Sequence, residues 1–292
     1  MIFGPRIELK SPAELELMHR AGHLTRQVLS AARSAAVPGA TTAEVDAAAE
    51  AVIDSAGARS NFKGYQGFPA VVCISVNEEI VHGIPGSRVL QAGDIVSIDG
   101  GAIVEGFHGD SALTMIVGGD EAGTAADREL SSATEAAMWA GIAAFATGTK
   151  VSDIGDAIDD FVSESYPDLG LVEEFTGHGI GTSMHMAPEV LNYRARSNGP
   201  KIKPGMCLAI EPMLTTGGAD TRTLADDWTV VTADGSRASH WEHSVARHDG
   251  GVWVLTAADG GAAGLAPFGI TPVPPRASEG RTPGTRPRGE LR

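Results

Sequence analysis

The sequence is poor in cysteine. Its 292 residues include two, Cys73 and Cys207, which lie far apart in apolar runs and lack C-x-x-C spacing. A disulfide framework or a thiolate zinc site needs more cysteines or closer spacing. We therefore expect two buried free thiols.

Long hydrophobic runs are also missing. No uncharged stretch ahead of the C-terminal end exceeds 14 residues, the length of the alanine-rich stretch 136–149. A bilayer span needs about 20 apolar residues. The N-terminal sequence MIFGPRIELK has no apolar segment typical of a secretory signal. These absences predict a cytoplasmic protein that does not contact a membrane.

Basic residues are scarce, with 22 Lys and Arg against 37 Asp and Glu and a net charge of −15. Nucleic-acid binding requires a clustered basic surface, so we expect no direct nucleic-acid partner. Residues 260–292 differ from the rest, because 13 of these 33 residues are Pro or Gly and five are Arg. We interpret residues 259–292 as a flexible tail, which leaves residues 1–258 as one folded domain.

Helix and strand signals follow the same order twice along the chain. Capping boxes at Ser11/Glu14 and Thr41/Glu44 predict two helices, which end before Pro38 and at Gly57. Strands are predicted at 70–76, 95–104 and 107–117, the last two as a hairpin around Glu105-Gly106. Further helices are predicted from about residues 124 and 152.

Two internal matches support a repeat. The helical pattern at 39–53 returns at 148–162, an offset of 109, and the segment GDIVSID at 93–99 matches GMCLAIE at 205–211, an offset of 112. Near-equal offsets in the same order predict two similar α–α–β halves. The expected fold is α+β, with antiparallel sheet covered by helices.

Four acidic residues occupy repeat-related positions in apolar strands. Folding the hairpin at residues 104–105 brings Asp99 and Asp110 nearly opposite each other, and Glu211 and Glu242 are their counterparts in the second half. For either aspartate alone, pairing with an arginine or exposure to solvent explains its position as well as a metal does. Four buried negative charges in one pocket require compensation, which two divalent cations provide.

Several histidines lie near these carboxylates. His178 stands between glycines in TGHGIG, where it is either a metal ligand or an ordinary loop histidine. His82 and His185 are further candidates. His108 and His243 are adjacent to candidate ligands but should point to the opposite faces of their strands. We interpret the others as surface or structural residues: His19, His23, His240 and His248.

Five segments together resemble type I methionine aminopeptidase: NEEIVHGIP (77–85), DIVSIDGGAIVEGFHGD (94–110), TGHGIGTSMHMAPEVLNY (176–193), GMCLAIEPM (205–213) and SHWEHS (239–244). The similarity runs from about residue 8 to 255. It implies the pita-bread fold and a metallo-aminopeptidase domain over residues 1–258. The implied activity is removal of the initiator methionine from nascent proteins and peptides when the next residue is small.

The resemblance also implies a dinuclear metal site. By position its ligands are Asp99, Asp110, His178, Glu211 and Glu242. Asp110 and Glu242 bridge the two ions, Asp99 chelates one, and His178 with Glu211 holds the other. An oxygen-rich set with one imidazole suits Co, Mn, Fe or Zn, and the ligands alone do not choose among them.

Catalytic and specificity residues follow from the same resemblance. A metal-activated bridging water attacks the carbonyl carbon after the methionine, Glu211 shuttles the proton, His185 stabilises the oxyanion, and His82 contacts the scissile amide. The methionine pocket is lined by Phe62, Tyr65, Phe68, Cys73, His82 and Trp228. Simple core packing remains an alternative for the aromatic residues. The implied partners are nascent polypeptide N-termini near the ribosome, and the family favours a monomer.

Three alternatives remain open. Prolidase and aminopeptidase P carry an additional N-terminal domain, whereas here only 81 residues precede His82. A catalytically inactive relative would serve as a binding module, although it would lose ligands that are all present here. The Arg/Pro-rich tail offers an added ribosome-docking role. Only 25 residues separate His185 from Glu211, too few for the helical insertion of the type II enzyme, so a bacterial-style type I enzyme fits best.

Overall fold

A computed structural model describes residues 6–196 and 199–275, which form helices packed on antiparallel sheets. The α-helices are α1 (Pro12–Ala35), α2 (Thr42–Ser55), α3 (Ala125–Thr147), α4 (Ser152–Ser165) and α5 (Ala262–Leu265). The strands are β1 (Arg59–Ser60), β2 (Val72–Val76), β3 (Glu79–Val81), β4 (Ile95–Val104), β5 (Phe107–Ile116), β6 (Gly170–Leu171), β7 (Gly177–Gly179), β8 (Met186–Val190), β9 (Cys207–Ile210), β10 (Met213–Thr215), β11 (Thr221–Thr223), β12 (Val230–Thr232), β13 (Ala238–His240), β14 (Glu242–His248) and β15 (Gly251–Val254).

The predicted helix starts are confirmed by their caps. The Ser11 side chain accepts a hydrogen bond from the Glu14 backbone, and the Glu14 carboxylate accepts one from the Ser11 backbone at 2.7 Å. The same reciprocal pair forms at Thr41 and Glu44. These contacts satisfy backbone donors that a helix N-terminus leaves unpaired. Among the described residues no helix is both long and apolar enough to cross a bilayer.

The two predicted α–α–β halves meet in one nine-stranded sheet. Its order is β1-β4-β5-β14-β9-β7-β8, with β2 beside β4 and β15 beside β14. One core cluster joins α1 and α2 to β2 and β4, and a second joins α3 and α4 to β9 and β14. The hairpin β4–β5 of the first half pairs with β14 of the second, so the α+β prediction is confirmed.

The hairpin turn lies at Glu105 and Gly106, as the predicted strand bounds indicate, one residue beyond the 104–105 midpoint that was used to pair Asp99 with Asp110. Val104 pairs with Phe107 across a two-residue turn, in which Glu105 has φ 50° and Gly106 has φ 85°. Positive φ at both central residues matches the twist of the flanking strands. Asp99 therefore pairs with Ala112, and Asp110 is its diagonal neighbour, whereas the prediction placed the two aspartates nearly opposite each other.

The ordered chain continues past the predicted boundary at residue 258. Helix α5 and a 3₁₀ turn at Ala266–Phe268 follow it, and Leu265 is fully buried against the second core cluster. The Val273 N–H also donates to the Val252 carbonyl at 2.9 Å. Residues 259–275 thus pack on the body instead of forming a flexible tail. The rest of the predicted tail, residues 276–292, lies outside the described residues.

Candidate metal and substrate site

A row of acidic residues crosses one face of the central sheet. Asp99 on β4 pairs with Ala112 on β5, which pairs on its other side with Glu242 at the start of β14. Glu211 directly follows β9, and the β9–β14 register sets it opposite Glu242. Because paired residues of neighbouring strands share a face, all three carboxylates lie on the same side as the small Ala112.

Two more predicted ligands lie one row away on the same face. Asp110 precedes Ala112 by two residues on β5, and His178 on β7 pairs with Ala209, two residues before Glu211. Side chains two residues apart on a strand share a face. Asp110, His178 and Glu242 each present one ligand atom within 4.8 Å of the others, and all three are buried.

Glycines hold His178 close to the neighbouring strands. A Cβ added at Gly177 would lie 2.3 Å from the Ala209 carbonyl oxygen, and one at Gly179 would lie 2.3 Å from that of Ala187. No side chain fits at either position. The flanking glycines of the TGHGIG segment are therefore explained by close backbone approach.

The tautomer of His178 is set by its own loop. Its Nδ1 lies 3.0 Å from the Gly179 carbonyl oxygen, which only accepts, so Nδ1 carries the hydrogen and Nε2 carries a lone pair. That Nε2 lies 3.4 Å from Glu211 Oε1. Burial and nearby His185 lower the pKa of His178 to about 4, so the ring is neutral. When Glu211 is ionised, both facing atoms are acceptors, and a cation between them would satisfy both.

Each of the four carboxylates has one buried oxygen without a hydrogen-bond partner in the described chain: Asp99 Oδ1, Asp110 Oδ1, Glu211 Oε1 and Glu242 Oε1. Burial raises the pKa of Asp110 to about 7. Burial, together with the neighbouring carboxylates, raises the pKa of the other three well above the usual range. Divalent ions would supply both the missing partners and the missing positive charge, so this donor set fits a metal centre.

His82 is presented by an unusual backbone conformation. It directly follows β3 with φ 61°, a region that residues other than glycine seldom occupy. Its ring packs edge-on against Phe175 and Trp228, with centroids 5.6 Å and 6.0 Å away. Burial, with His185 nearby, lowers its pKa to about 4, so the imidazole is neutral and has a donor available.

Tyr65 and His185 form a direct pair. The Tyr65 hydroxyl lies 2.9 Å from His185 Nδ1, and the two rings meet edge-on with centroids 5.4 Å apart. Tyr65 sits in a tight turn in which Gly64, Gln66 and Gly67 all have positive φ. The edge-on contact of His185 with His178, at 4.5 Å between centroids, connects this pair to the acidic group.

All twelve predicted site residues line one cavity of the structure: Phe62, Tyr65, Phe68, Cys73, His82, Asp99, Asp110, His178, His185, Glu211, Trp228 and Glu242. Val81 and Met184 also line it and were not singled out from the sequence. Both directly precede a predicted site histidine, which is the signal that would have found them. Phe68 packs edge-on against Trp228 with centroids 5.0 Å apart. One end of the cavity is therefore acidic and the other aromatic.

The remaining histidines are mostly placed as predicted. His243 points away from the cavity as predicted, with its Nδ1 2.8 Å from Thr256 Oγ1. The prediction for His108 is wrong, because it lies two residues before Asp110 on β5 and so shares the face of Asp110, with its Nδ1 3.0 Å from Asn61 Oδ1. His240, interpreted as a surface or structural residue, is only 1% exposed. Its Nε2 lies 3.8 Å from Glu211 Oε2, so it adjoins the acidic group. Its position two residues before Glu242 was the signal for a shared face.

Comparisons with known proteins agree with this geometry. Residues 16–248 match the profile of metallopeptidase family M24, and the chain belongs to that family. Methionine aminopeptidase 1 of Mycobacterium tuberculosis is 46% identical over 252 residues, which cover 85% of this chain and 94% of the relative. The crystal structure of methionine aminopeptidase from Thermotoga maritima is 35% identical, with TM-score 0.81, and covers 86% of this chain and 99% of that one. Within the family the chain thus groups with the bacterial type I methionine aminopeptidases.

The pita-bread fold extends to more distant structures. Prolidase from Pyrococcus furiosus aligns with TM-score 0.68 at 21% identity, over 86% of this chain but only 65% of the prolidase. At this identity the likeness concerns the fold alone. Membership of a metallopeptidase family also carries the expectation of divalent metal binding, which the buried carboxylates and His178 fit.

Proposed function

We propose that this chain removes the N-terminal methionine from nascent proteins and peptides when the next residue is small. The observation that carries the proposal is one cavity in which an acidic group adjoins an aromatic and sulfur-containing wall. The first can hold the metal that activates a hydrolytic water, and the second suits a flexible thioether. The similar proteins from Mycobacterium tuberculosis and Thermotoga maritima are methionine aminopeptidases, which supports the same activity.

We propose further that the acidic group holds two divalent ions. Asp110 and Glu242 are central, because each presents a ligand atom within 4.8 Å of the other and of His178. Asp99 would complete the ligands of one ion, and His178 with Glu211 would complete those of the other. The oxygen-rich set suits Co, Mn, Fe or Zn. When bound, the ions would lower the pKa of a shared water so that hydroxide is available at neutral pH.

The side chains around the ions have separate roles in this proposal. Glu211 takes the proton of the attacking water and passes it to the leaving amide nitrogen. Because the Tyr65 hydroxyl faces Nδ1 of His185, the other nitrogen of that ring is free to donate to the developing oxyanion. His82, which lines the same cavity, would contact the scissile amide. Phe62, Phe68, Cys73 and Trp228, together with the Tyr65 ring, enclose the methionine side chain.

The cellular setting belongs to the proposal as well. The substrates would be N-termini of nascent chains near the ribosome, which places the activity in the cytoplasm. A single chain supplies every proposed site residue, so a monomer suffices. The net charge of −15 supports action without direct nucleic-acid binding.

Peptide turnover tests the proposed function. Metal-reconstituted protein should release methionine from Met-Ala-Ser and Met-Gly-Ser, with the rate falling sharply as the second residue grows to leucine. A peptide beginning with leucine and an X-Pro dipeptide serve as controls, because a prolidase-like activity would favour the latter. Absence of methionine release with Mn, Fe, Co and Zn in turn would favour an inactive binding module instead.

A further inference from the structure

His240 is held rigidly by its backbone while its side chain has no partner. Its N–H donates to the hydroxyls of Ser97 and Thr114 at 3.2 Å and 3.1 Å, and its carbonyl accepts from the Thr114 hydroxyl at 2.8 Å. The residue is 1% exposed, yet neither ring nitrogen has a hydrogen-bond partner within the described ranges. A buried polar atom left unpaired costs about 1–3 kcal/mol, so this arrangement calls for a reason.

The carboxylate of Glu211 lies between two imidazoles. Its Oε1 is 3.4 Å from His178 Nε2, and its Oε2 is 3.8 Å from His240 Nε2. The His178 hydrogen is on Nδ1, next to the Gly179 carbonyl, so this ring cannot donate to Glu211. His240 has no such competing partner on either ring nitrogen in the described residues, so the tautomer with its hydrogen on Nε2 is open to it. At 3.8 Å the two atoms are too far apart for a hydrogen bond, so a bond between them requires the Glu211 carboxylate to turn toward His240.

We propose that His240 is a positioning residue that donates its Nε2–H to Glu211 Oε2. A charge-assisted bond of this kind would fix the carboxylate plane and keep Oε1 turned toward His178. The Asn192 side chain donates to the Glu211 backbone carbonyl at 3.2 Å, so it holds the main chain and leaves the carboxylate to His240. This inference rests on the proposed function, in which Glu211 is both a metal ligand and the proton shuttle.

Two amide substitutions separate a donor at Nε2 from simple filling of space. His240→Gln places its amide nitrogen near the position of Nε2, whereas His240→Asn places it near Nδ1. Outer ligand-orienting contacts typically contribute about 10–100-fold to metal affinity or activity. We expect His240→Asn to weaken Mn²⁺ binding about tenfold and to lower kcat on Met-Ala-Ser more than it raises KM. His240→Gln should recover most of both losses.

The matched control is His243, which is partly buried and contacts Thr256 on the opposite side of the sheet. His243→Asn should lower the melting temperature without weakening the binding of Mn²⁺. The measurements are calorimetric titration of metal-free protein with Mn²⁺, steady-state kinetics, and thermal melting of all four proteins.

The outcomes distinguish failure of the proposed His240 role from failure of the proposed aminopeptidase function. Wild-type Mn²⁺ affinity and kcat in His240→Asn would overturn the positioning role while leaving the aminopeptidase intact. Equal losses in the Gln and Asn variants, in parallel with their melting temperatures, would also overturn it by showing a packing role. Wild-type protein that binds no metal and releases no methionine would instead refute the proposed function.

Discussion

At the scale of the residue, the most informative side chains are those that lack partners. Four carboxylates and His178 are buried together, and the facing atoms of Glu211 and His178 are both acceptors. Such a group is costly in the protein alone, and the cost is offset when cations bind. His240 also lacks side-chain partners in the described residues, and its Nε2 lies 3.8 Å from Glu211 Oε2.

The Tyr65 hydroxyl supports a prediction about His185. Replacing Tyr65 with Phe keeps the aromatic wall but removes the group that faces Nδ1 at 2.9 Å. The ring of His185 is then free to change tautomer and turn its donor away from the substrate. We expect kcat on Met-Ala-Ser to fall by about tenfold or more, as when an oxyanion donor is weakened, with KM nearly constant.

The control for this change is Tyr166→Phe, which removes a hydroxyl from a ring that packs on Phe161, outside the cavity. It should leave kcat unchanged. An unchanged kcat in Tyr65→Phe would contradict the proposed role of its hydroxyl.

The sequence indicated which residues line the cavity, but it did not indicate how deeply individual residues are buried. Glu211 and Glu242 were located because the repeat gives Asp99 and Asp110 counterparts. For His240 the surface alternative was wrong, because the polarity of one residue in a strand gives no measure of its burial. Exposure depends on which distant strand covers a residue, here β4 and β5 over β13, and local pattern does not carry that information.

At the scale of the element, helix α1 packs closely on the sheet because residue 22 is a glycine. A Cβ at Gly22 would lie 2.5 Å from the Leu255 carbonyl oxygen. In an exposed helix, alanine in place of glycine stabilises by about 0.5–1 kcal/mol. Here we expect the opposite sign, because the helix must shift away from the sheet. Urea unfolding should show Gly22→Ala to be about 1–3 kcal/mol less stable than wild type.

Gly86→Ala is the matched control. The nearest atom to a Cβ there is the Ile84 carbonyl oxygen at 4.0 Å, and the backbone does not have positive φ. Its stability should stay within about 0.5 kcal/mol of wild type. A stabilised Gly22→Ala would show that helix propensity outweighs the close approach of α1.

The helices and the main hairpin could be predicted because their signals are local. Ser11, Thr41 and Thr124 cap the helices that they were expected to start or precede. The predicted partner of Asp99 was off by two residues, because the midpoint of Asp99 and Asp110 lies one residue before the centre of the turn at Glu105 and Gly106. That shift changes a directly opposed pair of aspartates into a diagonal one.

At the scale of the whole molecule, the boundary of the folded domain is the feature most altered by the structure. Leu265 is fully buried, and Gly264 fits closely against Trp139. Removing residues 260–292 should therefore lower the melting temperature by several degrees, because the burial of Leu265 alone contributes about 1.5–3 kcal/mol. Removing only residues 276–292 provides the reference and should leave turnover of Met-Ala-Ser unchanged.

Thermal melting and turnover of the two truncated proteins check this boundary. If both truncations melt like the full chain, α5 does not contribute to the body. The Pro- and Gly-rich composition of residues 260–292 concealed the packed segment, since a four-residue helix has no detectable amphipathic period.

The central claim is that hydrolysis depends on metal held by carboxylates from both halves of the fold. Asp110 belongs to the first half and Glu242 to the second, and the two strands that carry them are neighbours. The buried Asp127, which caps α3 and pairs with Arg237 away from the cavity, offers the control Asp127→Ala.

The most direct test measures bound metal and Met-Ala-Ser turnover together in Asp110→Ala, Glu242→Ala and Asp127→Ala. The account predicts that wild type and Asp127→Ala bind two divalent ions per folded chain and release methionine. Asp110→Ala and Glu242→Ala should lose metal and turnover together. Full turnover by a metal-free preparation of Asp110→Ala would contradict the claim.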